Sequence, residues 1–178
     1  MFKKILALIL CALMLMTAAM AEEFTAPAPG DPLSLEADIG LYLDGIFYPI
    51  LNDFATLEAI LGEADEVNSA PSCAFKGDDK EFVYDGMSIF TNPLGELDVW
   101  MEAYITGGDY VTTRGIGIGS SEADVLAAYG DGFYVEGENM MTYSLSGDPE
   151  AIDSPCIIFT LEDGAVVCMD IYFPTNTI

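Results

Sequence analysis

Slid against itself by 68 residues, the sequence meets a second copy of its own pattern. Ile50-Leu51-Asn52-Asp53-Phe54-Ala55-Thr56-Leu57 falls on Ile118-Gly119-Ser120-Ser121-Glu122-Ala123-Asp124-Val125, Gly62 falls on Gly130, and Met101-Glu102-Ala103-Tyr104 falls on Met169-Asp170-Ile171-Tyr172. A small register shift lays Ile89-Phe90-Thr91 on Ile158-Phe159-Thr160. Matches that keep their order at one offset predict two structural repeats, residues 44–111 and 112–178. Whatever one half folds into must suit the other half too, and neither is large enough to do without a shared core.

Each half opens with a short strand, at 46–50 and 115–118, followed by residues suited to an N-cap. Asn52 or Asp53 serves in the first half; in the second, Ser121 with Asp124 three residues on has the capping-box pattern. Phe54, Leu57, Ile60 and Leu61 share one helical face, as do Val125, Leu126 and Tyr129, and Gly62 and Gly130 end the two helices. Helices this short are marginal alone and must pack on something. Strand-like segments follow at 73–75, 81–84, 87–91 and 99–105, then at 133–135, 141–145, 156–161 and 166–173. Turn chemistry separates them at Asp85-Gly86, Pro93-Leu94-Gly95 and Glu162-Asp163-Gly164. The pattern predicts an α+β fold: a short helical element plus a four-stranded antiparallel sheet, in tandem. The product is a sheet of approximately eight strands with the helices packed on one face and the other face open.

Ahead of the repeats, residues 1–21 read as a signal peptide. Lys3-Lys4 precedes an unbroken apolar run at 5–16, and Ala19-Met20-Ala21 fits the cleavage pattern. The run is short of the ~20 residues needed to cross a bilayer, so no membrane-spanning segment is expected. Cys11 follows Leu10 in mid-run, which does not suit a lipoprotein signal. Residues 22–43, with Pro27, Pro29, Gly30 and Pro32, read as an extended arm or linker. The expected location is secreted, extracellular or in the cell envelope, and periplasmic in a Gram-negative source. Export permits oxidation. Cys73, Cys156 and Cys168 allow at most one disulfide, with the pairing open.

Charge and composition exclude several functions. The chain carries 30 acidic and 5 basic residues, a formal charge of −25 that becomes −27 without Lys3 and Lys4. Such a surface repels polyanions, which excludes nucleic acid as a partner. Histidine is absent, removing the commonest general base and metal ligand together. The apolar fraction of 52% argues for a folded chain despite the charge.

Parity along the last strand of each half separates two faces. Val99, Met101, Ala103 and Ile105, with Val167, Met169, Ile171 and Phe173, read as the covered face. The opposite set is Trp100, Glu102 and Tyr104, matched by Cys168, Asp170 and Tyr172. An open face bearing aromatics and two carboxylates suits recognition of another protein or a cell-envelope component, and the charge favours a basic partner. The same side chains would also serve as cross-strand pairs that stabilise the sheet.

Two units of helical element plus four-stranded antiparallel sheet, following an export signal, resemble the β-lactamase-inhibitor-protein-like fold. The segments Ser72-Cys73-Ala74-Phe75-Lys76-Gly77, Thr113-Arg114-Gly115-Ile116-Gly117-Ile118-Gly119 and Val125-Leu126-Ala127-Ala128-Tyr129-Gly130 are similar to segments of uncharacterised secreted proteins and lipoproteins of Gram-positive anaerobes. The resemblance implies a concave sheet face and a first-half turn that grip a partner, with Tyr84-Asp85-Gly86 as the counterpart of that turn and Asp85 as a contact residue. The family's disulfide within each half is absent, since three cysteines cannot form two bridges, and lactamase inhibition is not implied.

Other chemistry fits less well. Gly115-Ile116-Gly117-Ile118-Gly119-Ser120 looks like a phosphate-cradling loop but lacks the remaining dinucleotide or Gly-Lys-Ser/Thr signature. Glu102 and Asp170 form the best-motivated acid pair for a small extracellular hydrolase. Asp78-Asp79, Asp131-Gly132 and Asp163-Gly164 offer oxygen ligands for calcium without EF-hand spacing. The expectation is a non-enzymatic recognition module without a cofactor; the alternatives are that hydrolase or a structural module of a surface assembly.

Overall fold

The computed structural model describes residues 24–135, 137–148, 150–151 and 153–174, and the export segment expected at 1–21 lies outside them. Two strands, β1 (Gly40–Leu43) and β2 (Ile46–Pro49), form a small hairpin, and helix α1 (Ala55–Leu61) follows. Then come β3 (Glu66–Pro71), β4 (Asp78–Tyr84), β5 (Met87–Leu94), β6 (Leu97–Ile105), helix α2 (Glu122–Tyr129), β7 (Met140–Ser144), β8 (Cys156–Glu162) and β9 (Ala165–Tyr172). The last seven strands make one antiparallel sheet in the order β3-β4-β5-β6-β9-β8-β7. The architecture is α+β, and β6 and β9 meet at the centre of the large sheet through Glu102↔Tyr172 and Tyr104↔Asp170.

Local chemistry accounts for the helix boundaries. Ser121 caps α2, its hydroxyl accepting from Asp124 N–H while Asp124 returns a bond to the Ser121 N–H. At α1 the N-cap position is Phe54, which has no such side chain, and Asp53 Oδ1 accepts from Ala55 N–H instead. Both helices stop at glycines with left-handed φ, 82° at Gly62 and 83° at Gly130, a conformation that costs a side chain dearly. Leu57, Val125, Ala128 and Tyr129 join the apolar cluster that includes Ile89, Ala103, Ile157, Phe159, Met169 and Ile171.

Three expected strands are absent, and two strands, β1 and β3, were not foreseen. Residues 73–75 lie in the β3–β4 connection, where Ser72 Oγ accepts from the N–H groups of Ala74 and Phe75. The strand that pairs with β4 is Glu66–Pro71, exposed at every position and so without apolar alternation. Residues 133–135 contribute a single bridge, Tyr134↔Thr142, and residues 115–118 only the bridge Val111↔Gly117. In the glycine run main-chain N–H groups are spent within the chain: Gly115 on Thr112 O, Gly117 on Ser120 Oγ and Gly119 on Val166 O.

The arm expected over 22–43 is integrated into the fold from about Ser34 onward. Ile39 and Leu41 are buried core residues, and β1 begins at Gly40. Asp38 is buried against Arg114, whose guanidinium also donates to Ala128 O at the end of α2 and sits 4.9 Å from the centre of the Tyr129 ring. Further upstream, Phe24 stacks on Phe47 with ring centres 5.4 Å apart.

Bulges change the facing of both central strands. Thr91 pairs with Trp100 and Phe90 with Glu102, so β6 holds one extra residue at Met101. Leu161 pairs with Val166 and Thr160 with Cys168, giving β9 an extra residue at Val167. Each bulge inverts the alternation on one side of itself. Trp100, expected on the open face, is 0% exposed in the core, and Val166 rather than Val167 fills the matching place in β9. Met101 and Val167, expected in the core, are absent from its apolar cluster. The backbone contacts agree: Trp100 bonds Leu51 and Asn52, while Val166 bonds Gly119 and Ser120. In its main-chain bonds Trp100 therefore resembles Val166, and not Cys168, the residue at the 68-residue offset.

The register also disposes of the disulfide. Cys156 pairs with Tyr172 and Cys168 with Thr160, which separates the two cysteines by four residues along the ladder, about 13 Å. Cys73 lies in the β3–β4 connection at the opposite edge of the sheet and is exposed. A disulfide requires Cα atoms within about 7 Å, so no pair of these three can close.

Candidate functional site: the open sheet face

The face turned away from the apolar cluster is organised by two cross-strand rows. One runs Asn68, Glu81, Phe90, Glu102, Tyr172 and Cys156; the other runs Val83, Ser88, Tyr104, Asp170, Ile158 and Thr142. Glu102, Tyr104, Asp170 and Tyr172 therefore come together at the β6–β9 junction, as their sequence positions suggested. Trp100 does not join them, because the Met101 bulge turns it inward. Asp85 does not either. It occupies the β4–β5 turn, where Gly86, with φ 74°, packs directly on the Gly107 backbone and leaves no room for a Cβ.

Glu102 and Asp170 sit on diagonal positions of adjacent strands, a spacing at which long side chains reach each other. Tyr104 is 43% exposed, whereas Glu102, Asp170 and Tyr172 are half-buried. On one side of this cluster lies a groove of about 410 Å³ between β3 and β6, floored by Phe90 and Met101 and edged by Asn68 and Glu81. On the other side a cavity of about 270 Å³ extends beneath Ala151 and Ser154 of the β7–β8 connection and is lined by Cys156 and Ile158. Glu102 and Tyr172 border both spaces.

Electrostatically this face is short of cations. Burial raises the Glu102 carboxyl above its ordinary value, with Glu81 adding to the effect. Burial, reinforced by Glu102, pushes Asp170 up to about 7. The Tyr104 hydroxyl and Cys168 thiol are in hydrogen-bond contact, which raises Tyr104, while burial raises both Cys168 and Tyr172. Lys80, which lines the groove, is committed to Asp98 at 2.6 Å, and Arg114 to Asp38. Asp170 Oδ1 is buried without a hydrogen-bond partner. Such an acceptor is costly to leave unmet.

The sequence reading missed Phe90, Met101 and Ile158 as surface-lining residues, and Arg114 with Asp38 as a structural pair. Arg114 carried a signal, being the sole arginine of the chain. A solitary arginine in so acidic a protein has its pick of carboxylates, and a bidentate partner lets it be buried. Among the described residues no group of three or more Cys, Asp or Glu side chains is arranged to hold a metal ion, and no helix is long and apolar enough to cross a membrane. The Asp-rich turns are spread around the molecule, with Asp79 accepting from Asn92 at 2.6 Å and Asp163 in the tight β8–β9 turn.

No protein-family model matches the chain, and no curated protein matches it. Among solved structures it is similar to a cysteine-rich secretory protein from Staphylococcus aureus subsp. aureus Mu50, with a TM-score of 0.45 and 14% sequence identity over 83% of this chain and 52% of that one. The chain spans about half the length of that neighbour, and a likeness of this degree constrains neither fold family nor function.

Proposed function

We propose that the protein is an exported, non-enzymatic recognition module, made of two copies of one α+β unit, whose open sheet face binds a basic protein or cell-envelope component. The repeat reading is supported by matched detail in both halves. Gly62 N–H bonds Glu58 O and Gly130 N–H bonds Leu126 O, each at 2.8 Å, and the hydroxyls of Tyr84 and Tyr143 donate to the carbonyls of those same two glycines. Reading outward from the β6–β9 junction, the strands of both halves run in reverse chain order, four in the first half and three in the second. In this reading the helices cover one face of the sheet, and α1 and α2 are equivalent.

One observation carries the functional part: Glu102 and Asp170 are partly buried side by side with no cation beside them, and Asp170 Oδ1 lacks a donor. A partner bearing ammonium or guanidinium groups supplies both the charge and the donors, while Tyr104 and Tyr172 offer contact area at small entropic cost. The overall negative charge steers such a partner and weakens the complex as salt rises. Capture from native culture medium and envelope fractions tests this reading. The double variant Tyr104→Ala/Tyr172→Ala should lose the partner retained by the wild type, at an unchanged melting temperature. Equal capture by both proteins would refute recognition through this face.

A second reading, a small hydrolase using Glu102 and Asp170, draws on Asp170 having a carboxyl that holds its proton near neutrality next to a second acid. Glycan turnover abolished by Glu102→Gln/Asp170→Asn would establish it in place of the binding module.

A further inference from the structure

The two edges of the seven-stranded sheet are finished differently. At the β7 edge, Tyr134 exchanges two main-chain bonds with Thr142, both 3.0 Å. At the other edge β3 is the terminal strand, exposed along its full length, with Val67 52% accessible. The hydrogen-bond phase of β3 follows from its ends. Ser72 N–H bonds Gly77 O in direct opposition, and Asp65 N–H bonds Val83 O. With the register Glu66↔Val83, Asn68↔Glu81 and Ala70↔Asp79, those three β3 residues turn their main-chain groups toward β4. Val67 and Ser69 then turn N–H and C=O outward, and Pro71, which has no N–H, turns only its C=O outward. Among the described residues, nothing bonds these groups.

A free edge of this kind is a template for an added strand. Its flanking charge selects what is added. Side chains of an added strand that face the open side would lie beside Glu66, Asn68 and Ala70, with Glu81 and Asp79 one strand further in. Asn68 donates to Glu81, and Asn92 to Asp79, so neither carboxylate is met by a cation. A second copy of this chain would set Glu66 and a formal charge of −25 against their own likeness. We propose that β3 is a docking edge for an extended basic polypeptide segment, which pairs with Val67 and Ser69 and lays alternate Lys or Arg side chains over Glu66, Asp79 and Glu81. The edge borders the groove that reaches Glu102 and Tyr172, but the main-chain groups it offers to an added strand lie outside the Glu102/Asp170 cluster and do not depend on it.

The test uses the mature chain and a labelled peptide, acetyl-Thr-Lys-Val-Lys-Val-Lys-Thr-amide, followed by fluorescence anisotropy. Ser69→Pro removes an outward N–H while sparing the bonds to β4, a substitution that edge strands accept. It should weaken binding at least about tenfold, at a melting temperature close to the wild type. A peptide methylated on alternate backbone nitrogens should lose binding to the wild-type protein to a similar extent, which keeps the test valid should Ser69→Pro unfold. Glu66→Gln/Glu81→Gln should weaken binding and flatten its salt dependence, whereas Tyr104→Ala/Tyr172→Ala should bind the peptide normally. Absence of peptide binding by the wild type, or binding that ignores backbone methylation, overturns the proposal. So does a dimer in sedimentation that Ser69→Pro dissociates, since the edge would then be occupied by a second copy.

Discussion

Arg114 donates from Nε to Asp38 Oδ1 at 2.7 Å and from Nη2 to Asp38 Oδ2 at 3.1 Å, with both side chains almost fully buried. The pair joins segments 76 residues apart, and the remaining guanidinium protons reach Ala28, Pro32 and Ala128 carbonyls. Removing one partner strands a buried charge, so Arg114→Met and Asp38→Ala should each destabilise the fold by about 3–5 kcal/mol. Replacing both should cost less than the sum of the two. Urea unfolding of the four proteins measures this, and additivity would show that the two residues act independently. The single variants should also expose residues 28–38 to limited proteolysis.

Trp100 and Tyr104, four residues apart on β6, should behave oppositely on truncation. Trp100 is fully enclosed, and Trp100→Ala should cost about 3–5 kcal/mol through lost burial and the cavity left behind. Tyr104 is substantially exposed, and Tyr104→Ala should change stability by no more than ~1 kcal/mol. Thermal unfolding decides the matter. Similar losses at the two sites would mean that Trp100 is not enclosed as described.

Thiol chemistry separates the cysteines. With no pair close enough to bridge, a reductant should leave the melting temperature unchanged. Cys73 is exposed and should react promptly with a thiol reagent, whereas Cys168 is buried and burial raises its pKa, so it should react only when the fold opens. Mass spectrometry after brief alkylation should find one modification among these residues, at Cys73.

The helix boundaries were legible because their signals are local: Ser121 with Asp124 sets a start, and Gly62 and Gly130 set stops. The apolar face of α1 was read too wide, for Leu57 is buried while Ile60, assigned to the same face, is 49% exposed. Most strands of the central sheet were legible from alternation, and Glu102, Tyr104, Asp170 and Tyr172 were correctly grouped by it. Trp100 was not, because a bulge is a property of the pair: Met101 is surplus only in relation to Thr91 and Phe90 on β5. Strand β3 was invisible for another reason. Its residues are all exposed, and a strand with no buried face leaves no apolar periodicity. Asp38 and Arg114 could not be paired from sequence, since nothing local links positions so far apart.

Asp170 should give the protein an unusual pH dependence for a carboxylate. Its folded-state pKa is raised to about 7, above the ordinary 3.8, so the native state holds this proton more tightly than the unfolded chain does. The sign follows: the contribution to stability is full below about pH 4 and is lost as pH rises through about 7. Glu102 is shifted in the same direction. Asp170→Asn removes the ionisation while keeping the shape, and should match the wild type in acid yet exceed its stability at pH 8 by roughly 2–4 kcal/mol. Glu102→Gln should lower the Asp170 pKa by removing the charge beside it, shifting the wild-type loss to lower pH and making it smaller. A partner that delivers an ammonium group to Asp170 should act in the same sense, releasing a proton as it binds near neutral pH. Denaturation at a series of pH values tests the argument. An Asp170→Asn protein less stable than the wild type at pH 8 would mean that the carboxylate is already satisfied, and the acceptor assigned to the partner would not exist.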